Sequence, residues 1–427
     1  MKKRYIKAIA AALCAVMLLT TTGCGQEQQA AETFEPKLDT EQKVVLNTSG
    51  FFGNFEALDQ VIADFNEYYP NVEFNYEQNG INNFESYIKA NPNIDIMMTS
   101  EEIFEKLGDV VDPICADLSA EDIPLGDIDE QMLSRGYHNG KLSCIPMGQS
   151  TYGLVVNVSL LENEGIDIPK NYEEFTAALK ALKEKGYTPV QGPEGKVYAE
   201  LTYNMLFDMM LDDKALCDAV AAGDESAAEK LQPVFARLDD MVSSGYIDPS
   251  VNAGYPEDNY DQAILKFFEG DVPFWVCNTE KVSGMKKRES KSEAFQKDPF
   301  EYAFIYAPLG ESGSYAYSEP WFGFSVNKNA ENYDYAVEFI RFLAQKDELD
   351  TMADIKGIPS VTADGAEKEI YKNILHPENA EMECVNEGDV TSAMVTAWYT
   401  CAEKYASGEY ATQQEAASDF INMCSVK

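Results

Sequence analysis

Apolar positions along this chain change period several times, and the changes outline alternating strands and helices. Lys43-Val44-Val45-Leu46 reads as a first buried strand. A small polar loop, 47–54, comes next and carries Phe51 and Phe52. Phe55, Leu58, Ile62 and Phe65 recur at helical spacing, and Pro70 closes that helix. Val72, Phe74 and Tyr76 alternate as a second strand, 84–89 suggest a further helix, and 94–98 form a third strand. Thr99 and Ser100 are placed to cap a helix over 101–107. Strand, helix, strand, helix, strand is the rhythm of a doubly wound α/β lobe.

The stretch 139–189 organises the rest of the chain. An Asn139-Gly140 turn leads into a short apolar run ending at Ile145-Pro146. A polar, Gly-containing segment, 147–153, separates it from Leu154-Val155-Val156, apolar on successive residues. A strand of that kind is buried on both faces, as in a helix-covered sheet. The polar segment therefore reads as a connection from one sheet to another, with a ligand seated where crossing segments meet. The next helix is well marked: Asn171 and Glu174 make a capping box, Phe175, Leu179 and Leu182 share one face, and Gly186 stops it before Pro189.

Beyond this point helices dominate, at 203–211, 225–243 and 260–268, before 270–278 turns into a buried strand. Residues 302–307 form another strand. Trp321–Asn327 reads as a second crossing, and Lys356-Gly357-Ile358-Pro359-Ser360 as a third. Ala336, Phe339, Ile340 and Leu343 share a helix face between them. Two helices, at 392–407 and 412–423, end the chain, the second with Thr412 and Glu415 as a capping box.

A length of 427 residues suffices for two sizeable domains. The formal charge of −40 argues against nucleic acid and anionic membrane surfaces as partners. With 2 histidines, His138 and His376, His-based catalysis and His-rich metal sites are disfavoured. No P-loop or nucleophile-elbow motif occurs, and no cofactor is expected.

Residues 1–23 read as a signal peptide. Lys2, Lys3, Arg4 and Lys7 precede an apolar core over 9–19, too short for a confident span. Thr21-Thr22-Gly23-Cys24 resembles a bacterial lipobox, with Thr21 where Leu is usual. Cys24 is the expected lipidation site, with ordinary secretion as the competing reading. Removing four basic residues takes the mature chain to −40 − 4 = −44. Residues 24–41 form the expected flexible tether. Of the 9 cysteines, Cys14 leaves with the signal and Cys24 carries lipid. The remaining seven lack CxxC spacing and read as mostly buried free thiols, with one or two bridges also open to an extracytoplasmic chain.

The chain resembles family 1 of the extracellular solute-binding proteins of ATP-driven importers, the sugar-type group that includes maltose-binding protein. The resemblance rests on NGKLSCIPMGQSTYGLVVNVSLLENEGI with PKNYEEFTAALKALKEKGYTP, on AILKFFEGDVPFWVCNT, on YAFIYAPLG, on WFGFSVNKNAENYDYAVEFIRFL and on KGIPSV. It covers nearly all of the mature chain and is specific in aggregate rather than in any one piece. It implies a two-lobed, periplasmic-binding-protein-like α/β fold with three hinge crossings and an interlobe cleft. Lobe 1 would comprise 42–148 with 322–356, and lobe 2 149–321 with 357–427. It also implies a non-catalytic monomer, lipid-anchored on the extracellular face of the membrane, that hands a carbohydrate to an ABC permease.

Sugar sites need flat apolar faces and carboxylate or amide partners for hydroxyls. Candidates on that chemistry are Phe51 and Phe52 after the first strand, Ser100 and Glu101 after the third, and Gln149 and Tyr152 in the first crossing. Glu319 and Trp321 stand before the second. The resemblance adds Tyr203 and Asn204, and Trp275 as a stacking aromatic. Each has a bland alternative in capping, hinge packing or core, and Trp398 reads as buried. The basic run 281–291 reads as a solvated helix face, with recognition of an acidic ligand or partner as the competing reading. A peptide or polyamine ligand remains open on the same fold, and a two-carboxylate glycosidase is the alternative in another class. The α/β rhythm argues against a repeat or β-sandwich adhesin.

Overall fold

The computed structural model describes residues 34–53, 55–79, 84–100, 103–104, 107, 111–252, 260–363 and 390–425. The signal segment, Cys24, Glu101, His376 and Cys384 lie outside the described residues. Residues 36–427 form one unit.

β1 (Val44–Gly50) and β2 (Val72–Gln78) pair in parallel, Val44 opposite Val72 through Gly50 opposite Gln78. Parallel neighbours need a crossover. The helix Glu56–Phe65 supplies it and buries Ala57, Leu58, Val61 and Phe65. β3 (Ile96–Thr99) pairs with the other side of β1, also in parallel. A hairpin of β4 (Tyr137–His138) and β5 (Lys141–Leu142) turns at Asn139 and Gly140, whose φ of 50° and 73° are the left-handed pair an Asn-Gly turn supplies.

Six further strands are β6 (Ile145–Ser150), β7 (Tyr152–Asn157), β8 (Val190–Gln191), β9 (Phe274–Asn278), β10 (Tyr302–Ile305) and β11 (Glu319–Val326). They complete two separate sheets. One has the order β2-β1-β3-β11-β6 and the other β10-β7-β9-β8. β11 lies antiparallel to both β3 and β6. It approaches β6 so closely at Gly323 that a β-carbon there would sit 2.3 Å from the Ile145 carbonyl oxygen, so glycine is required.

The continuous apolar strands are buried on both faces, as their composition predicts. Leu154, Val156, Phe274 and Val276 face one core, together with the helices Tyr172–Glu184, Val197–Asp212, Ala227–Ser244, Ser392–Ala406 and Gln413–Ser425. Val155, Trp275 and Cys277 face another, against Phe267, Phe268 and Phe304. Caps fall where the residue types place them. Asn171 Oδ1 accepts from Glu174 N at 3.0 Å while Glu174 Oε2 accepts from Lys170 N at 2.9 Å. Thr412 Oγ1 accepts from Glu415 N at 3.1 Å. Trp398 is buried and its Nε1 donates to the Ala199 carbonyl at 3.1 Å. Cys115, Cys144, Cys217, Cys277, Cys401 and Cys424 are free thiols, all but Cys424 buried.

Three segments differ from their periodicity. β1 continues to Gly50, through residues that read as loop, because β2 pairs with it throughout. The polar segment after Pro146 is itself strand as far as Ser150, held by β11 on one side and by Gln149 N donating to the Pro359 carbonyl at 3.1 Å on the other. Only Thr151 separates β6 in one sheet from β7 in the other. Trp321–Asn327, read as a crossing, is mostly β11 within the five-stranded sheet, and 306–318 make the passage between sheets.

Candidate functional site

The seam between the sheets is built around Thr151. Its Oγ1 donates to the Tyr317 carbonyl at 2.5 Å and its carbonyl accepts from Thr279 N at 3.0 Å. Asn204, in the helix Val197–Asp212, donates its amide to the Tyr152 carbonyl at 2.8 Å and to Thr151 Oγ1 at 3.3 Å. Three parts of the chain distant in sequence thus brace one residue. Gln149, two positions earlier, donates through Nε2 to the Ser360 carbonyl and accepts at its own carbonyl from Thr279 Oγ1 at 3.3 Å. Ser150 Oγ donates to Glu280 Oε1 at 2.9 Å.

Beside this junction stands a half-buried group of rings. Phe52, from the end of β1, meets Trp321, at the start of β11, with centroids 5.2 Å apart and planes at 66°. Phe55 and Phe322 back them, at 4.8 Å and 5.4 Å from Phe52. Edge-to-face packing of this kind fixes the angle between the rings. Backbone bonds hold the loop: the Phe52 carbonyl accepts from Tyr76 OH at 2.8 Å and that of Phe51 from Gln78 Nε2 at 3.1 Å. The Lys356 ammonium lies 3.7 Å from the Phe52 centroid, 4.9 Å from Trp321 and 5.6 Å from Phe55. Burial pushes its pKa below the usual lysine value, against the pull of Glu280 and Glu56.

A second group continues on the far side of Thr151. The Tyr152 ring packs on Tyr203 at 4.4 Å, and Tyr203 reaches Tyr317 at 5.7 Å and Tyr399 at 6.3 Å. Tyr399 OH donates to Tyr152 OH at 2.9 Å, and Tyr317 OH to Glu319 Oε2 at 3.3 Å. Burial drives the Tyr152 and Tyr203 phenols well above their ordinary pKa, with neighbouring negative charge, Glu200 and Glu319 respectively, adding to it. Both phenols stay protonated at physiological pH.

The structure therefore gathers Phe52, Trp321 and Gln149 around the junction, and Tyr152, Tyr203, Asn204 and Glu319 next to it. Phe51 packs against the core under the five-stranded sheet while touching Phe52 edge-on at 6.3 Å. Ser100 accepts from Ile103 N at 3.4 Å through its hydroxyl, the capping geometry. Trp275 is placed elsewhere: it is fully buried, stacked on Phe267 at 5.7 Å with planes 22° apart. Its neighbour Phe274 faces the opposite core, so β9 is covered on both faces and Trp275 is interior whichever way it points. Asn204 spends its amide on the backbone of the crossing.

Sequence reasoning passed over Lys356, Glu280, Tyr317 and Tyr399. Lys356 had a signal, since it immediately precedes Gly357, whose φ of 77° ends the helix Lys346–Lys356 and starts the segment that lies along β6. Glu280 had none, because its position depends on how β9 is paired.

A family model described as bacterial extracellular solute-binding protein matches residues 60–378. A search of curated proteins returned no match. Several solved structures are similar over most of their length. A family 1 extracellular solute-binding protein from Bifidobacterium longum subsp. infantis aligns with TM-score 0.66 at 16% identity, covering 89% of this chain and 98% of that one. The cyclic alpha-maltosyl-1,6-maltose binding protein from Arthrobacter globiformis gives 0.65 at 17%, over 90% and 98%. A sugar transporter from Bacillus licheniformis, in complex with stachyose, gives 0.60 at 16%, over 88% and 98%. At such identities these likenesses establish the two-lobed α/β fold.

Proposed function

The chain belongs to the bacterial extracellular solute-binding proteins, and we propose that it captures a carbohydrate in the seam between its two sheets. The observation that carries this reading is the juxtaposition of Phe52 and Trp321 with Gln149, Glu280 and Glu319 where β6 passes into β7. Ring faces cover the C–H-rich surfaces of a sugar, and amide and carboxylate groups take its hydroxyls. The sugar-binding proteins among the structural neighbours support the same class.

On this reading the lobes follow the two sheets, so the expected bounds at 148/149, 321/322 and 356/357 shift. Residues 42–150 with 319–363 form one lobe, because Gln149, Ser150 and 319–321 lie in strands of the five-stranded sheet and Thr362 bridges to Ile128. Residues 151–318 with the C-terminal helices form the other. Solute shifts the equilibrium toward a closed pair, and closure excludes water from the polar contacts. The closed form delivers its cargo to the transmembrane subunits of an ABC importer. A lipid on Cys24 holds the protein, a monomer, at the outer face of the membrane, and no chemical step occurs on the solute.

A thermal-shift and calorimetry screen of the full-length chain tests this against neutral and charged saccharides, peptides, amino acids and polyamines. A cognate saccharide at about 100 times its Kd should add roughly 2.7 kcal/mol of stability and leave the solute unhydrolysed. Binding confined to nitrogenous solutes removes the carbohydrate assignment, and release of cleaved sugar removes the non-catalytic one.

A further inference from the structure

Lys356 occupies an unusual place for a lysine in this chain. Acidic residues outnumber basic ones by 73 to 33, and lysines elsewhere find them readily. Lys141 meets Asp112 at 3.1 Å, Lys346 meets Asp350 at 2.6 Å and Lys404 meets Asp419 at 3.0 Å. Lys356 instead has three ring faces for neighbours, and no carboxylate among the described residues lies within ion-pair distance of it. Glu280 and Glu56 act on it only from further off. Its half-buried ammonium has lost part of its water, and its direct neighbours are ring quadrupoles rather than a paired carboxylate. An anion arriving from the open side would complete it.

Other cations stand near the second group of rings. Arg135 is buried, close enough for its charge to act on the Tyr203 phenol. Lys281 Nζ stands 3.9 Å from the buried Glu200, and Lys196 lies over the Tyr399 ring at 5.1 Å. The chain as a whole carries a net charge of −40. The acidic exterior does not prevent an anion from entering, because charges beyond about 8 Å are screened at physiological salt.

We propose that the solute is an acidic saccharide, and that Lys356 reads its carboxylate while the sugar ring lies on Phe52 and Trp321. The inference rests on the carbohydrate reading above. It makes Lys356 the specificity-determining residue, since the same rings without the ammonium would accept a neutral sugar equally well. Pairing a partly desolvated ammonium with a carboxylate is the strong form of hydrogen bond and fixes the orientation of the sugar.

The test is calorimetry on the full-length chain at physiological salt. Its probes are galacturonate, glucuronate and mannuronate oligosaccharides, their methyl esters, and neutral oligosaccharides of equal length. The acid form of the best ligand should bind at least about tenfold more tightly than its ester. Lys356→Met keeps the aliphatic stem among the rings and should erase that preference, so that acid and ester bind within about twofold of each other. Lys356→Arg should retain it, and thermal unfolding of each variant confirms that it folds. Equal binding of acid and ester, a neutral best ligand, or a preference that survives in Lys356→Met overturns the inference and leaves carbohydrate capture standing. Failure of every saccharide, acidic or neutral, removes both readings.

Discussion

Trp275 and Trp321 are the same side chain at the same kind of position, each in a strand beside a phenylalanine and each approached by further rings. One is fully buried on Phe267, and the other is half-exposed against Phe52 with an ammonium over its face. The extent of the covering layers separates them. β9 is covered on both faces, so every residue along it is interior, whereas β11 begins at the open end of its sheet and is buried only from Phe322 onward. An aromatic in a strand is thus core or wall according to where along the strand the covering layers end.

The sharpest way to break this contrast is to remove each ring in turn. Trp275→Ala should cost about 3–5 kcal/mol of stability, read as a lowered denaturation midpoint, with solute affinity of the folded fraction retained. Loss of affinity at unchanged stability would move Trp275 to the wall. Charges extend the contrast from rings. Lys356 stands at the seam, while Asp208 is walled in, and burial with help from Asp212 raises its pKa to about 7. The folded state holds a proton that the unfolded chain releases near pH 3.8, so stability falls as pH rises from about 4 to 7. Asp208→Asn should therefore stabilise the protein at about pH 8 by up to roughly 4 kcal/mol and add little at about pH 4. Urea midpoints at both pH values decide it, and an equal effect at both would refute it.

Trp321→Ala should do the reverse of Trp275→Ala. Solute binding weakens by about 1–3 kcal/mol while thermal unfolding changes little, and calorimetry beside a melting curve separates the two. The smallest effect is a control remote from both rings. Asn171→Ala removes the cap of the helix Tyr172–Glu184 and should cost about 1 kcal/mol of stability with solute affinity untouched. An affinity change there would mean that stability and binding are not separable in this fold.

Much of the architecture was legible because it depends on periodicity. The double burial of Leu154, Val155 and Val156, the capping box at Asn171, and the helix face of Phe339, Ile340 and Leu343 are local patterns with one reading. The extent of β6 was not legible, since Met147-Gly148-Gln149-Ser150 has no strand signature and is extended only because β11 and Pro359 supply its hydrogen bonds. The candidate site divides on the same line. Gln149 and Tyr152 flank the crossing that was readable, whereas Phe52 was expected in a loop and Trp321 in a crossing that proved to be strand, and all four are brought near the junction. Lys356 and Glu280 arrive from elements far apart in sequence, and nothing local says that they share a neighbour.

The position of β11 has a consequence for how the molecule comes into being. It lies between β3 and β6, yet it is contributed by residues 319–326, long after both flanking strands have been synthesised. Until that segment is present, β3 and β6 each offer an unpaired edge, and the five-stranded sheet cannot close. Contacts so distant along the chain slow folding by the entropy of closing the intervening loop. In a chain of an extracellular family, the five-stranded sheet can close only once residues 319–326 are available, so its closure is among the last steps of folding.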